Sequence, residues 1–191
     1  MSLELAWGAA VLAASLIALP QPPPDAVTAA PATCMDGQKD PRGRSAADDT
    51  EVRREDETKF NDACRHANTA WSTQGLSQVK LRPDDSTSIA DLQRQDANSA
   101  KKDWKGVLGR YAPFPGADTL YFNRAYLDKG KQYGDDMCRR MVAAHELGHA
   151  PGFCHKNPGW YPTLMAKEID DVQADALPTA TDRKNYHKLW G

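Results

Sequence analysis

The spacing of hydrophobic residues first predicts a helix with one apolar face, over residues 57–71. Four residues in this stretch recur at intervals of three and four, namely Phe60, Cys64, Ala67 and Trp71. Positions at this spacing fall on one side of a helix. Gly75 marks the end of the predicted element.

A second helix is predicted over residues 137–150. Met141, Ala144 and Gly148 share one of its sides, and Pro151 ends it because proline removes a helical N–H donor. A third helix is predicted near the end of the chain, where Thr181 or Asp182 would cap it.

Short apolar or alternating runs between these helices predict strands. The runs cover residues 51–54, 79–81, 89–92, 104–111 and 119–126. The polar stretch 128–136, which contains two glycines, is interpreted as a loop. This order of helices and strands favours an α+β domain with a mixed sheet.

The composition limits the classes of partner. A chain of 191 residues is long enough for one compact domain with its own core. Its net charge of −2 comes from acidic and basic residues mixed along the chain, so nothing favours nucleic acid or an anionic membrane as a partner. We expect a monomer in which the folded domain spans residues 50–191.

The N-terminal region has the pattern of a secreted protein. The apolar run from Leu5 to Leu19 is shorter than the roughly 20 residues of a membrane span but has the length of a signal-peptide core. We therefore interpret residues 1–32 as a signal peptide and residues 33–49 as a flexible tether or short pro-segment. Glu4 stands where a positive charge is expected, and a buried or anchor helix is the alternative.

The chain contains four cysteines, and export to an oxidising compartment would favour two disulfides. Four cysteines allow three connectivities. We favour Cys138–Cys154, which leaves Cys34 with Cys64.

The strongest chemical signal is the run His145-Glu146-Leu147-Gly148-His149. Four residues are slightly more than one helical turn, so both imidazoles project from the same face of a helix and can reach one metal ion. Glu146 is rotated by about 100° from His145, which places its carboxylate beside the ion, where it can act as a base.

A third histidine, His155, follows after a glycine at position 152. It can converge on the same ion only if the helix stops and the chain turns back. Gly152 can adopt the positive φ of such a turn without strain. Three histidine ligands leave one position of a tetrahedral zinc ion open, which is typical of catalytic sites.

Three further residues could in principle bind a metal ion. Cys154 could be a ligand instead of a disulfide partner. His66 and His187 are interpreted as ordinary surface residues.

The extended motif resembles the signature of the metzincin metalloproteases. Met165, ten residues after His155, matches the methionine of the tight turn found below the metal in that clan. The sequence is similar to the matrixins and, in its small size, to short secreted proteases of actinomycetes such as snapalysin. It departs from them at Pro151, in lacking the matrixin cysteine switch, and in having a histidine where snapalysin has an aspartate as third ligand.

The resemblance implies a metzincin-like (zincin) catalytic domain, a twisted mixed five-stranded sheet with three helices. Four strands would be parallel, and residues 106–111 would form an antiparallel edge strand that binds a peptide substrate. Structural Ca²⁺ is compatible with the family, although the sequence has no EF-hand loop.

The resemblance also implies a secreted zinc endopeptidase that holds one Zn²⁺ through His145, His149 and His155. Glu146 would be the catalytic base, Met165 the floor of the site, and a protein or peptide the substrate. The alternative is a non-catalytic secreted zinc-binding or adhesion module on the same fold. A two-histidine protease with a distant glutamate ligand is disfavoured by Gly152 and His155.

Overall fold

The computed structural model describes residues 46–85, 89–156, 162–172 and 174–191. These residues form an α+β domain with one five-stranded sheet and four helices. The strands are β1 (Glu51–Glu57), β2 (Lys80–Pro83), β3 (Leu92–Ala97), β4 (Gly109–Ala112) and β5 (Asp118–Asn123). The helices are α1 (Asn61–Ala70), α2 (Arg124–Leu127), α3 (Asp136–His149) and α4 (Ala180–Trp190).

The sheet is mixed, with the strand order β2-β1-β3-β5-β4. Four strands run parallel to one another, namely β1, β2, β3 and β5. Strand β4 pairs antiparallel with β5 at the edge of the sheet. The expected division into four parallel strands and one antiparallel edge strand is therefore confirmed. The edge strand covers residues 109–112 and begins three residues later than expected.

Strand β1 is longer than its sequence suggests. The run from Glu51 to Glu57 contains six charged residues besides Val52 and pairs on both sides, with β2 and β3. Helix α1 was expected from residue 57 but begins at Asn61. The hydroxyl of the buried Thr58 accepts a hydrogen bond from the Phe60 backbone N–H at 3.2 Å, where the chain turns from strand into helix.

Strand β3 lies three residues beyond the predicted run 89–92. Ile89 is 82% exposed and belongs to no strand, while Leu92 and Arg94 are buried in the sheet. The buried guanidinium of Arg94 donates hydrogen bonds to Asn68 Oδ1 at 2.6 Å and Asp56 Oδ1 at 3.3 Å. A buried charge is tolerated when it is paired in this way. Because β3 buries an arginine, the pattern of apolar residues does not identify the strand.

Strand β5 ends earlier than expected because the chain turns into a short helix. The predicted strand 119–126 stops at Asn123, whose side chain accepts a hydrogen bond from Ala125 N and caps α2. The single turn of α2 is the helix that the expected set of three did not include.

Helix α3 packs against α1 and against strands β4 and β5. Every residue from Met141 to His149 is buried. Its observed span agrees with the predicted 137–150 to within one residue at each end. The side chain of Asp135 accepts a hydrogen bond from Cys138 N at 2.8 Å and caps the helix. The motif of residues 145–149 therefore lies inside the molecule.

Helix α4 is capped two or three residues earlier than the sequence suggested. The cap is Thr179, whose hydroxyl accepts from Asp182 N at 3.2 Å, while the Asp182 carboxylate accepts from Thr179 N at 2.9 Å. Asp182 is thus the third residue of a capping box. The prediction that Thr181 or Asp182 is the N-cap was wrong.

The described chain is already packed at its first residue. Ala46 N donates to Ala150 O at 2.7 Å, so contacts with the domain reach back beyond the expected start near Thr50. The predicted signal peptide and most of the predicted tether lie outside the described residues. Within the described part of the chain, no helix has the length and hydrophobicity to cross a membrane.

The favoured disulfide pairing is wrong. Cys64 and Cys138 are free thiols, and Cys154 is disulfide-bonded. Cys138 lies in the first turn of α3, and the helix from there to His149 rises about 16 Å. The chain then turns back toward the metal motif and not toward the helix start, whereas a disulfide needs Cα atoms within about 7 Å. Cys34 lies outside the described residues.

The hydrogen bond between α4 and the residue before β2 leads to a prediction about stability. The buried Tyr186 hydroxyl accepts a hydrogen bond from Val79 N at 2.7 Å. In Tyr186→Phe this buried N–H loses its partner, which costs about 1–3 kcal/mol of unfolding free energy. Urea unfolding followed by circular dichroism measures the change. A difference below about 0.3 kcal/mol would show that the bond contributes nothing.

Candidate metal centre

The end of α3 determines where the third histidine lies. Gly152 has φ +98°, its N–H donates to His149 O at 2.9 Å, and Phe153 N donates to Gly148 O at 3.2 Å. A left-handed glycine with these two bonds is a Schellman motif. The motif reverses the chain, so that His155 returns to the side of α3 that carries His145.

The three histidines meet in one cluster. Their ring centroids are 5.2 Å apart for His145 and His149, 5.2 Å for His145 and His155, and 4.9 Å for His149 and His155. The Nε2 atoms of His145 and His155 are 3.2 Å apart. Two ligands on a tetrahedral ion with bonds of 2.0–2.1 Å lie about 3.3 Å apart, so this spacing fits a shared ion.

Backbone carbonyls set the orientation of two of the rings. His145 Nδ1 lies 2.8 Å from Leu164 O, and His149 Nδ1 lies 2.6 Å from Phe153 O. A carbonyl only accepts, so each Nδ1 carries the proton and each Nε2 keeps its lone pair. This is the tautomer that binds a metal through Nε2.

Burial keeps these rings neutral. It lowers the pKa of His145 to about 4, with the neighbouring His155 as the second cause. Burial, followed by the two other histidines, also lowers the pKa of His149 well below its usual value. Both rings are therefore in the form that can bind a cation at neutral pH.

Glu146 is buried beside the cluster and is held by the edge strand. Burial raises the pKa of Glu146 to about 8, while the backbone N–H of Tyr111 and the charge of Arg110 lower it. A Cβ built on Gly109 would lie 2.7 Å from Glu146 Oε1. Strand β4 therefore approaches α3 this closely only because position 109 has no side chain.

Met165, the residue expected to form the floor of the site, packs against α3 at Gly148. It is 1% exposed, and a Cβ on Gly148 would lie 2.3 Å from its sulfur atom. Met165 O accepts from Lys156 N at 2.8 Å, which joins the turn to the segment that follows His155. Gly148 of the motif is thus the position at which Met165 packs against α3.

Trp71 supports the same helix from α1. Its indole N–H donates to Ala144 O at 2.7 Å, and its ring stacks on Phe153 with centroids 5.3 Å apart. Sequence analysis had placed Trp71 only on an apolar helix face. It did not single out Tyr111 or Gly109 for the site, since neither carries a metal-binding or catalytic pattern.

The two other described histidines, interpreted from the sequence as ordinary surface residues, make their contacts elsewhere. His66 Nε2 contacts Ala176 O at 3.2 Å, and His187 Nδ1 contacts Gly191 O at 3.2 Å. Among the described residues, His145, His149 and His155 form the group whose donor atoms could hold a metal ion.

A cleft of about 480 Å³ opens onto the cluster. It is lined by residues 105–109, residues 167–170 and Tyr133. Four residues of α3 and the segment after it also line the cleft, namely Val142, His145, Glu146 and His155. A ligand in this cleft would meet the histidines and the carboxyl group together.

This geometry predicts binding of one divalent ion. The purified protein should take up one equivalent of Zn²⁺ and unfold at a higher temperature, because a ligand that binds only the folded state stabilises it. His155→Ala should lose most of this thermal shift, and the matched control His187→Ala should keep it. Calorimetric melting with and without a chelator is the measurement, and equal shifts in both variants would contradict the assignment.

No known family model matches this chain, and no curated protein matches it. The metzincin resemblance therefore stays a hypothesis based on the motif, and the function has to be inferred from the residues of the site.

Proposed function

We propose that the protein is a zinc-dependent endopeptidase. The observation that carries the proposal is the meeting of three imidazoles, together with one buried carboxyl group, at an open cleft. A purely structural zinc site closes all four positions with protein ligands, and this cluster offers three.

The donor set fits zinc among the common divalent ions. Imidazole nitrogen suits zinc, whereas Ca²⁺ and Mg²⁺ need oxygen ligands. The candidate holders are His145, His149 and His155. When bound, zinc polarises a carbonyl group and makes water a stronger acid.

Glu146 fits the role of general base. It lies one residue after a ligand, its carboxyl group is buried, and Tyr111 N–H holds it in place. A cation beside it would lower its pKa and favour the ionised form. Glu146 would take a proton from the attacking water and deliver it to the leaving amine, which is what peptide-bond hydrolysis requires.

The free edge of β4 fits an extended peptide. Leu108 O accepts from Asn123 N of β5, so the polar backbone groups of Gly109 alternate to the opposite side. In the described sheet, β4 has a neighbour on one side only. A substrate strand could pair with this edge and place its scissile bond over the cluster.

Secretion is part of the proposal and rests on the sequence of residues 1–32. Two free thiols in the described domain do not argue against it. Cys64 is fully buried, and burial raises the pKa of its thiol to about 11. Burial and the neighbouring Asp135 also raise the pKa of the half-buried Cys138 thiol to about 11. A protonated, buried thiol reacts slowly with oxidants.

Glu146→Gln tests the catalytic step. The amide keeps the shape and can still accept from Tyr111 N–H, but it cannot take a proton. We expect zinc binding to persist and casein hydrolysis to fall about 10²–10⁴-fold. Glu57→Gln, an exposed glutamate on β1, is the matched control and should retain activity.

The outcomes separate the two functions. Chelator-sensitive casein hydrolysis that is lost in Glu146→Gln supports the protease. One equivalent of bound zinc without hydrolysis of casein or peptide libraries would favour the non-catalytic zinc-binding module.

Gly109→Ala tests the contact between β4 and the base. The added methyl group would lie 2.7 Å from both Glu146 Oε1 and Val142 Cγ1, so one of these groups must move. We expect kcat/KM to fall at least about 10-fold, since a base displaced from its water loses its contribution to catalysis. Zinc affinity, measured by competition with a chelating dye, should stay the same. Unchanged kcat/KM would show that strand and base are not coupled.

A further inference from the structure

We infer that Asp182 is a positioning residue for the metal site and acts on His145 through the backbone of Leu164. The inference rests on the proposed metal centre. It extends that centre to helix α4, which contributes none of the predicted ligands.

The carboxylate of Asp182 is buried and accepts hydrogen bonds from donors in two parts of the chain. It is 2% exposed, and its Oδ2 atom accepts from Leu164 N at 2.8 Å, Thr179 N at 2.9 Å and Thr179 Oγ1 at 2.8 Å. Its Oδ1 atom accepts from the Thr163 hydroxyl. One carboxylate therefore joins the start of α4 to a turn 18–19 residues earlier in the sequence.

Leu164 passes this connection to the metal ligand. Its N–H is held by Asp182, and its C=O accepts from His145 Nδ1. The Leu164 side chain is fully buried, so the residue cannot rotate between these two bonds without losing its packing. The position of Asp182 thus determines where the acceptor for His145 Nδ1–H lies.

The same carboxylate also fixes the next residue of the turn. Thr163 Oγ1, which donates to Asp182, accepts from Met165 N at 3.1 Å. Met165 packs against Gly148 in the turn of α3 that follows His145. Asp182 therefore holds both Leu164, whose C=O accepts from His145, and Met165, which packs against α3.

Helix capping alone does not explain these contacts. A capping box needs only the bonds between Asp182 and Thr179, and it works in solvent. Here two of the donors come from Thr163 and Leu164, and the carboxylate is buried. Partners that orient a metal-binding histidine in this way are worth about 10–100-fold in metal affinity.

Asp182→Ala is the direct test, with Tyr186→Phe as the matched control. Tyr186 lies on the same helix, and the hydroxyl that this substitution removes accepts from Val79 N. We expect Asp182→Ala to weaken Zn²⁺ binding about 10–100-fold and to change the visible spectrum of the Co²⁺-substituted protein. Tyr186→Phe should lower stability while leaving both readouts unchanged.

Two further variants keep the test decisive if Asp182→Ala does not fold. Asp182→Asn should restore most of the affinity, because its amide oxygen can replace Oδ2 and its NH₂ group can donate to Thr163. Asp182→Glu keeps a usual capping-box residue, but its longer side chain displaces the turn, so α4 should persist while Zn²⁺ affinity falls.

The possible failures are distinguishable. Equal Zn²⁺ affinities for Asp182→Ala, Asp182→Glu and the unaltered protein would overturn the inference and leave the metal centre intact. Equal loss of affinity in Asp182→Ala and Tyr186→Phe would reduce Asp182 to general stabilisation and also overturn it. An unaltered protein that takes up neither Zn²⁺ nor Co²⁺ would overturn the proposed function itself.

Discussion

The reversal of the chain after α3 is the constraint on which the site depends. A single helix can present His145 and His149 on one face, but a third ligand at position 155 lies too far along the axis unless the helix stops. Gly152, with φ +98°, provides that stop. The reversal also places Phe153 O against His149 Nδ1, so the residues that end the helix orient one of its ligands.

The elements around this reversal are tied together by backbone groups more than by side-chain pairs. Leu164 O, Phe153 O and Tyr111 N–H each contact a residue of the motif. Backbone groups cannot change identity by mutation, so their positions depend on the packing of the segments that carry them. This explains why residues such as Trp71, far away in the sequence, are part of the support of the site.

The motif and the predicted sheet were recognisable from sequence because both follow local rules. The spacing of His145, His149 and His155, the glycine before the last of them, and the apolar face of α3 are visible in a single stretch. Strand β3 was predicted at the wrong residues because its buried residue Arg94 is charged, and hydropathy predicts that a charged residue is exposed. The cysteine pairing failed for a different reason, since it depends on where the chain goes after the helix. The contacts of Gly109, Tyr111 and Asp182 with the site join segments 18–37 residues apart, and no local pattern encodes them.

Gly109 has a further consequence for selectivity. At this point the edge of β4 would align another polypeptide by its amide and carbonyl groups, which are the same in every amino acid. Alignment of that kind is blind to residue identity. A protease that orients its substrate in this way would cleave a broad range of sequences. Any preference for particular substrate residues would have to come from the side chains that line the cleft, which in residues 105–108 and 167–170 vary in charge and size.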